Sequence, residues 1–142
     1  MRRIVIAADG STTSRVAAFR GLELASSLAS AVTFVTVLHE PPPTFESEAT
    51  TPTDAVMLLI NDAITEARRL GVAADYQILD GDTVQVITQF AKDCDADLIV
   101  VGSRGLGALA GALLGSVSNG VLSHADRDVL VVKPGSQRDG PS

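Results

Sequence analysis

Five short apolar runs rich in β-branched residues alternate with helical patterns along the whole chain. The runs are RIVIAA (3–8), AVTFVTVL (31–38), VAADYQIL (72–79), DLIVVG (97–102) and DVLVVK (128–133). The first, fourth and fifth runs are continuously apolar, which is typical of parallel strands covered on both faces. Strands that alternate with helices predict a series of βαβ units and a parallel sheet.

The segments between these runs predict four helices, over residues 13–29, 53–70, 83–93 and about 116–124. Hydroxyl residues at 11–14 offer an N-cap for the first helix. The stretch TPTD before the second helix offers a threonine cap with a proline in the first turn, and Gly71 follows its last residue. Asp82 is the expected cap of the third helix.

These elements predict a single-domain α/β fold: a doubly wound, five-stranded parallel sheet of order 3-2-1-4-5 with helices on both faces. We assign residues 1–134 to the domain and residues 135–142 to a flexible C-terminal tail, because the tail has no apolar anchor. Ligands of open α/β sheets bind at the carboxyl ends of the strands, where the winding direction reverses. The reversal between strands 1 and 4 therefore brings ADGS (8–11) beside GSRG (102–105).

Composition and charge exclude several classes of function. The chain has a net charge of −6 with only 11 scattered Lys and Arg residues, which argues against a nucleic-acid or anionic-membrane surface. The single Cys94 excludes an internal disulfide and a cysteine-based zinc site. No segment approaches the roughly 18 apolar residues of a membrane helix, and the apolar opening run ends at Asp9, well short of a signal peptide. We expect a soluble cytoplasmic protein.

The stretch VVGSRGLGALAGALLGSVSNG (100–120) contains six glycines, and three types of phosphate loop compete to explain them. A Walker A loop fails, because no Lys-Ser/Thr pair follows its second glycine. A dinucleotide fingerprint fits residues 105–110 only weakly, and the strand after it ends in Lys133 where that motif needs an acid. The plain alternative is a flexible connector between strand and helix.

The third type is the spacing G-x2-G-x9-G-S, formed by Gly102, Gly105 and Gly115-Ser116. The first two glycines allow backbone amides to form a nest for an anion just beyond strand 4. The last glycine opens a helix, whose free amides and dipole favour phosphate, and Ser116 and Ser118 can add hydroxyl donors. Such an anion site needs no lysine.

With this motif in place, the chain resembles a universal stress protein of the ATP-binding kind over residues 2–134. The motif itself and GSVSNGVLSHADRDVLVVKPG resemble the C-terminal third of that family. IVIAADGS resembles its first strand and Asp turn, VTFVTVLHE its second strand and DADLIVVGSRG its fourth. The resemblance implies a fold like that of the adenine nucleotide alpha hydrolases and a regulatory role in a stress or dormancy response.

The resemblance also implies site residues and partners. Ala8 and Asp9 would lie at the adenine and ribose end, and the backbone of Val37 would meet the adenine. The ribose and phosphates of ATP, or of another adenine nucleotide, would meet Gly102, Gly105, Gly115 and Ser116, with Ser103, Arg104, Val117 and Ser118 close by. Mg²⁺ would bridge phosphate oxygens. A homodimer would form through strand 5, which comprises Asp128, Val129, Leu130, Val131, Val132 and Lys133.

Some alternatives remain open at this point. Asp9 is also common turn chemistry after a strand, and the Pro- and Thr-rich segment 40–53 is either a lid or a variable loop. The spacer LGALAGALL (106–114) lacks the basic residue that family members often have there. Two other functions compete with nucleotide-dependent regulation: a slow ATPase or self-phosphorylating enzyme with Ser116 or Ser118 as acceptor, and a structural partner-binding protein without nucleotide. No catalytic or metal-ligating residue is assigned.

Overall fold

The computed structural model describes residues 1–38, 53–104 and 114–134. Strands and helices alternate along these ranges in the predicted order. They are β1 (Arg3–Ala7), α1 (Thr12–Leu28), β2 (Ala31–Leu38), α2 (Asp54–Leu70), β3 (Ala74–Asp80), α3 (Thr83–Asp93), β4 (Leu98–Gly102), α4 (Ser116–His124) and β5 (Asp128–Val132). The predicted tail (135–142), nearly all of the predicted lid (40–53) and all but the last residue of the spacer (106–114) lie outside the described residues.

The five strands form one parallel sheet of order β3-β2-β1-β4-β5, which confirms the predicted topology. β1 lies at its centre, with Ile6 opposite Phe34 of β2 on one side and opposite Val100 of β4 on the other. From β1 the chain therefore proceeds through β2 to β3 on one side of the sheet. It then returns to the other side of β1 to form β4 and β5. This reversal places the carboxyl ends of β1 and β4 at the predicted switch point.

Each face of the sheet packs against one pair of helices. Ile4 and Ile6 of β1 belong to the core formed with α1 and α2, whereas Val5 belongs to the core formed with α3 and α4. All three side chains are fully buried, and each such burial stabilises the fold by roughly 1.5–3 kcal/mol. Alternate residues of a strand point to opposite faces, so one apolar run supplies both cores.

The two edges of the sheet are less covered than its centre. β5 pairs with β4 alone within the described residues, and its three central residues, Val129, Leu130 and Val131, are only half-buried. The continuous apolar run had predicted cover on both faces, and the edge position explains the difference. At the opposite edge, the middle of β3 is exposed, including Tyr76.

Side chains cap three of the four described helices at their N-termini. Ser11 caps α1, Thr53 caps α2 and Asp82 caps α3, and each accepts a hydrogen bond from an amide three residues on. The predicted proline in the first turn of α2 is wrong, because the helix begins at Asp54 and Pro52 precedes its cap. The fourth helix, α4, has Gly115 at its N-cap and receives no side-chain cap.

None of the helices in residues 1–38, 53–104 and 114–134 is both long enough and apolar enough to cross a membrane.

Candidate functional site

The first turn of α1, directly after the turn that follows β1, is in contact with the end of β4. A Cβ atom placed on Gly102 would lie 2.7 Å from Cγ2 of Thr13 and 3.1 Å from its carbonyl carbon. The first turn of α1 therefore lies directly on the last residue of β4, and only a glycine fits between them without a shift. The register of β1 and β4, with Ile6 opposite Val100, places residues 8–11 and the described residues 102–104 at the same edge of the sheet, whereas Gly105 lies outside the described residues.

Hydrogen bonds fix the shape of the turn that follows β1. The carbonyl oxygen of Ala8 accepts from the hydroxyl of Thr36 at 3.1 Å. The carboxylate of Asp9 accepts from the amide of Ser11 at 2.9 Å, and the amide of Asp9 donates to the hydroxyl of Ser14 at 3.0 Å. The turn interpretation of Asp9 thus has direct support.

The backbone of Val37 faces the space beyond the end of β1. The pairing of β1 with β2 ends at Ala7 and Val35, and the amide of Ala8 donates to the carbonyl of Val35 at 2.9 Å. Because backbone direction repeats every second residue in a strand, the N–H and C=O groups of Val37 point to the same side as those of Val35. No residue of β1 lies opposite them, so one donor and one acceptor face the switch point.

Ser103 joins the end of β4 to the start of α4. Its amide donates to the carbonyl of Val132 at 2.8 Å, and its carbonyl accepts from the amide of Gly115 at 2.7 Å. The same carbonyl accepts from the hydroxyl of Ser118 at 2.9 Å. This group of bonds, here called the Ser103 bracket, holds the first turn of α4 against the carboxyl end of the sheet.

The start of α4 differs from the predicted anion site in two respects. The amide of Gly115 is engaged in the Ser103 bracket, so the amides left without an intrahelical acceptor are those of Ser116, Val117 and Ser118. The hydroxyl of Ser118 is buried, with 2% of the residue exposed, and is directed at Ser103. Ser116, in contrast, is exposed at the first helical position, so the predicted pair of hydroxyl donors is reduced to one in this conformation.

The structure thus brings most of the predicted residues to one edge of the sheet. Ala8 and Asp9 follow β1, Arg104 and the Ser103 bracket follow β4, and Val37 lies near the end of β2. Sequence reasoning missed the bracket, because the contact of Ser118 with Ser103 spans 15 residues and has no local pattern. Within the three described ranges, no group of three His, Cys, Asp or Glu side chains is placed to hold a metal ion.

Comparisons with a family model, with curated proteins and with solved structures all indicate the same family. The chain matches the universal stress protein family over residues 1–133. It is 38% identical over 74 residues to universal stress protein Sll1388 of Synechocystis, an alignment that covers 52% of this chain and 48% of that protein. It is 30% identical over 161 aligned positions to the stress response protein NhaX of Bacillus subtilis, which covers 92% of this chain and 97% of NhaX.

A solved structure supports the same assignment. A universal stress protein in complex with cAMP superposes with a TM-score of 0.73 at 26% identity, and covers 92% of this chain and 96% of that one. The family match over nearly the full length, the whole-length relative and the shared fold lead to one conclusion: this chain belongs to the universal stress protein family.

Proposed function

We propose that this protein binds an adenine nucleotide at the switch point and acts as a regulatory module whose output depends on nucleotide occupancy. One observation carries the proposal: the backbone groups of Val37, which lie beyond the last paired residues of β1 and β2, and the start of α4, which has a glycine at its N-cap, lie at the same edge of the sheet, on either side of the β1–β4 junction. These two features suit the two ends of a nucleotide, a base that needs hydrogen bonds at its edge and a phosphate that needs amide donors.

The backbone of Val37 suits adenine better than guanine. Adenine presents an amino donor beside a ring-nitrogen acceptor, which matches one carbonyl and one amide. Guanine has a carbonyl oxygen at the position of that amino group, so its donor and acceptor pattern differs there. We therefore expect base selectivity from main-chain groups alone, with Ala8 and Asp9 at the ribose.

The start of α4 suits the phosphate. The amides of Ser116, Val117 and Ser118 stand at the positive end of the helix dipole, which favours an anion. Ser116 adds an exposed hydroxyl and Arg104 a guanidinium. With ATP as ligand, we expect Mg²⁺ to be held mainly by phosphate oxygens.

The comparisons support this proposal indirectly. The similar universal stress protein noted above, 26% identical in sequence, is solved with cAMP bound. A protein of this kind needs no turnover to signal, because a ligand that prefers one conformation shifts the population toward it. ATP as the physiological ligand, and a role in stress or dormancy, are parts of the proposal.

We also propose that the protein forms a homodimer through β5. That strand has one neighbour within the described sheet, and its side chains at Val129, Leu130 and Val131 are half-buried. An apolar edge of this kind needs cover in a soluble protein. Light scattering during size-exclusion chromatography tests this part, and Leu130→Lys should convert a dimer into a monomer, whereas a wild-type monomer would refute the proposal.

Isothermal titration calorimetry with matched nucleotides tests the binding proposal. AMP, cAMP, ADP and Mg-ATP should each be compared with the guanine nucleotide that carries the same phosphates. We expect saturable binding of adenine nucleotides at one site per chain. The matching guanine nucleotides should bind at least about tenfold more weakly, a difference of about 1.4 kcal/mol in binding free energy. Absence of binding by every adenine nucleotide at millimolar concentration would refute the proposal.

A further inference from the structure

We infer that the outer edge of β3 and the groove beside it bind an extended segment of a partner protein that is rich in lysine or arginine and adds to the sheet as a further strand. This surface is separate from the proposed nucleotide site, and the inference does not depend on nucleotide binding. Its basis is an open strand edge, an apolar groove next to that edge, and the charge at the rim of the groove.

The backbone of β3 presents hydrogen-bonding groups that point away from the sheet. The carbonyl of Ala73 accepts from the amide of Val32 at 2.8 Å. The amide of Gly81 donates to the carbonyl of Leu38 at 3.2 Å. Both bonds run to β2, and backbone direction repeats every second residue in a strand, so the even-numbered residues point outward. These residues are Ala74, Tyr76, Ile78 and Asp80.

This edge can accept another extended chain. Within the described residues, β2 is the only strand that pairs with β3. An edge of this kind offers a row of amide donors and carbonyl acceptors at the spacing that a strand requires. Addition of a peptide strand to such an edge is a recurrent mode of recognition, in which the main chain supplies affinity and side-chain pockets supply specificity.

An open groove of about 710 Å³ lies between the end of β3 and the flank of α3. Its apolar part is formed by Leu79, Val86 and Phe90, which are all half-buried. The turn between strand and helix is tightly packed, because a Cβ atom on Gly81 would lie 2.9 Å from Cγ2 of Val86. Strand and helix are therefore held side by side, and a strand added to β3 would cover the apolar surface that they leave exposed.

Tyr76 offers apolar surface on the opposite face of the sheet. It lies opposite Phe34 in the pairing of β3 with β2, and Phe34 belongs to the core formed with α1 and α2. Tyr76 is 43% exposed although it lies in the middle of its strand. An added strand would therefore contact apolar side chains on both of its faces, as the inner strands of a parallel sheet do.

The rim of the groove determines the charge of the segment that fits. Its described lining contains two exposed carboxylates, Asp80 and Asp93, and no Lys or Arg. Asp93 accepts from the neutral side chain of Gln89 at 2.8 Å, and neither aspartate forms a salt bridge with a described residue. Lys92, the one basic residue of α3, lies near Asp126 on the other flank of the helix. Basic side chains of a partner segment would complement this rim.

A second copy of this chain fits the edge less well than a basic partner. β3 and the turn after it contain three aspartates, Asp75, Asp80 and Asp82, without Lys or Arg. Pairing of β3 with β3 would bring these like charges together, which destabilises contacts between strands. The net charge of −6 favours approach of a basic segment.

A short synthetic peptide of alternating lysine and valine tests the inference with the full chain. NMR spectra of ¹⁵N-labelled protein should show saturable shifts and slower hydrogen exchange at the amides of Tyr76, Ile78 and Asp80, because these donors become bonded to the peptide. The affinity should fall as salt is added. A peptide of alternating glutamate and valine, and a lysine-valine peptide with a central proline, should each bind at least about tenfold more weakly.

Two pairs of variants separate the strand edge from the charged rim. Tyr76→Pro removes one outward amide at an edge position and should weaken peptide binding at least about tenfold, whereas Tyr76→Ala keeps the amide and should weaken it by less than about threefold. Asp80→Asn with Asp93→Asn should weaken binding at least about threefold at low salt. Glu23→Gln with Asp54→Asn removes the same charge from exposed positions of α1 and α2, and should change the affinity by less than about twofold. Circular dichroism checks that each variant is folded.

Several results would overturn the inference. These are absence of binding by the lysine-valine peptide at millimolar concentration, equal binding of the glutamate-valine peptide, and shifts confined to residues outside β3 and α3. Protection of the β3 amides that rises with protein concentration without peptide would show that a second copy occupies the edge, and would also overturn it. Nucleotide affinity is measured separately, so failure of this inference and failure of the proposed function are distinguishable.

Discussion

Replacing Ser118 with alanine tests whether its hydroxyl holds the fold or the ligand. The hydroxyl lies in a residue that is 2% exposed and donates to the carbonyl of Ser103 at 2.9 Å. The same proton also reaches the carbonyl of Gly115 at 3.1 Å, and loss of this shared, buried bond costs about 0.5–1.5 kcal/mol net. The carbonyl of Ser103 keeps its bond from the amide of Gly115, so the larger penalty for an unsatisfied buried acceptor does not apply. Because alanine has a higher helix propensity than serine, the substitution recovers up to about 0.5 kcal/mol of stability.

The expected result for Ser118→Ala is a loss of about 0.5–1 kcal/mol in the free energy of unfolding. For a chain of this length this lowers Tm by about 2–4 °C. Thermal unfolding followed by circular dichroism measures it, and calorimetry measures nucleotide affinity on the same samples. We expect only a small loss of affinity, because the hydroxyl does not face the ligand.

Ser116→Ala is the matched control for this experiment. Ser116 is exposed at the first position of α4, where no side-chain cap is formed. We expect an unchanged or slightly higher Tm and about tenfold weaker nucleotide binding, since a bond to a charged group is lost. An unchanged Tm for Ser118→Ala with a large loss of affinity would refute the reasoning, because the hydroxyl would then serve the ligand.

Two further predictions concern packing at the switch point and acid stability. Gly102→Ala should lose about 1–3 kcal/mol in urea unfolding, because its methyl group would meet the backbone of Thr13 at 3.1 Å; Gly71→Ala, with φ at +73° and no atom within 4 Å, should lose only about 1 kcal/mol from backbone strain. Equal urea midpoints for Gly102→Ala and wild type would contradict the close approach of Gly102 to Thr13. The carboxylate of Asp97 accepts hydrogen bonds from the backbone amides of Arg2 and Arg3. These bonds stabilise its charged form and hold the pKa of Asp97 below its usual range. Its stabilising effect is present above the unfolded-state pKa and is lost as pH falls through the folded-state pKa. Asp97→Asn should therefore flatten the loss of stability in acid, and an unchanged pH dependence of the urea midpoint would count against this role.

The order of elements and the sheet topology were predictable from the sequence because their causes are local. Continuous apolar runs mark buried parallel strands, and a capping residue such as Asp82 marks a helix start within one turn. The cap of α2 was placed wrongly, because Thr51 and Thr53 flank the same proline and both are plausible caps. The apolar run of β5, taken alone, overestimates its burial, whereas the predicted strand order already placed this strand at the edge of the sheet.

The sequence indicated where the candidate site would lie, but not its detailed geometry. The glycine spacing indicated the edge of the sheet at which we propose the site. The close contact of Gly102 with Thr13 gives a packing reason for a glycine there, which differs from the anion nest expected from the sequence. The inward direction of the Ser118 hydroxyl depends on a contact between two distant turns, which no sequence period encodes. The proposed role of Val37 came from family resemblance, and a physical argument for it needed the strand register.

An NMR titration of ¹⁵N-labelled protein with cAMP tests the central claim most directly. We predict saturable shifts of the amide signals of Val37, Gly102 and the first three residues of α4, because these groups face the proposed nucleotide from three different elements. Amides on the exposed side of α3, such as that of Gln89, should remain unchanged and serve as the internal control. Saturable shifts confined to α3 and β3, or none at millimolar cAMP, would contradict a nucleotide site at the junction of β1 and β4.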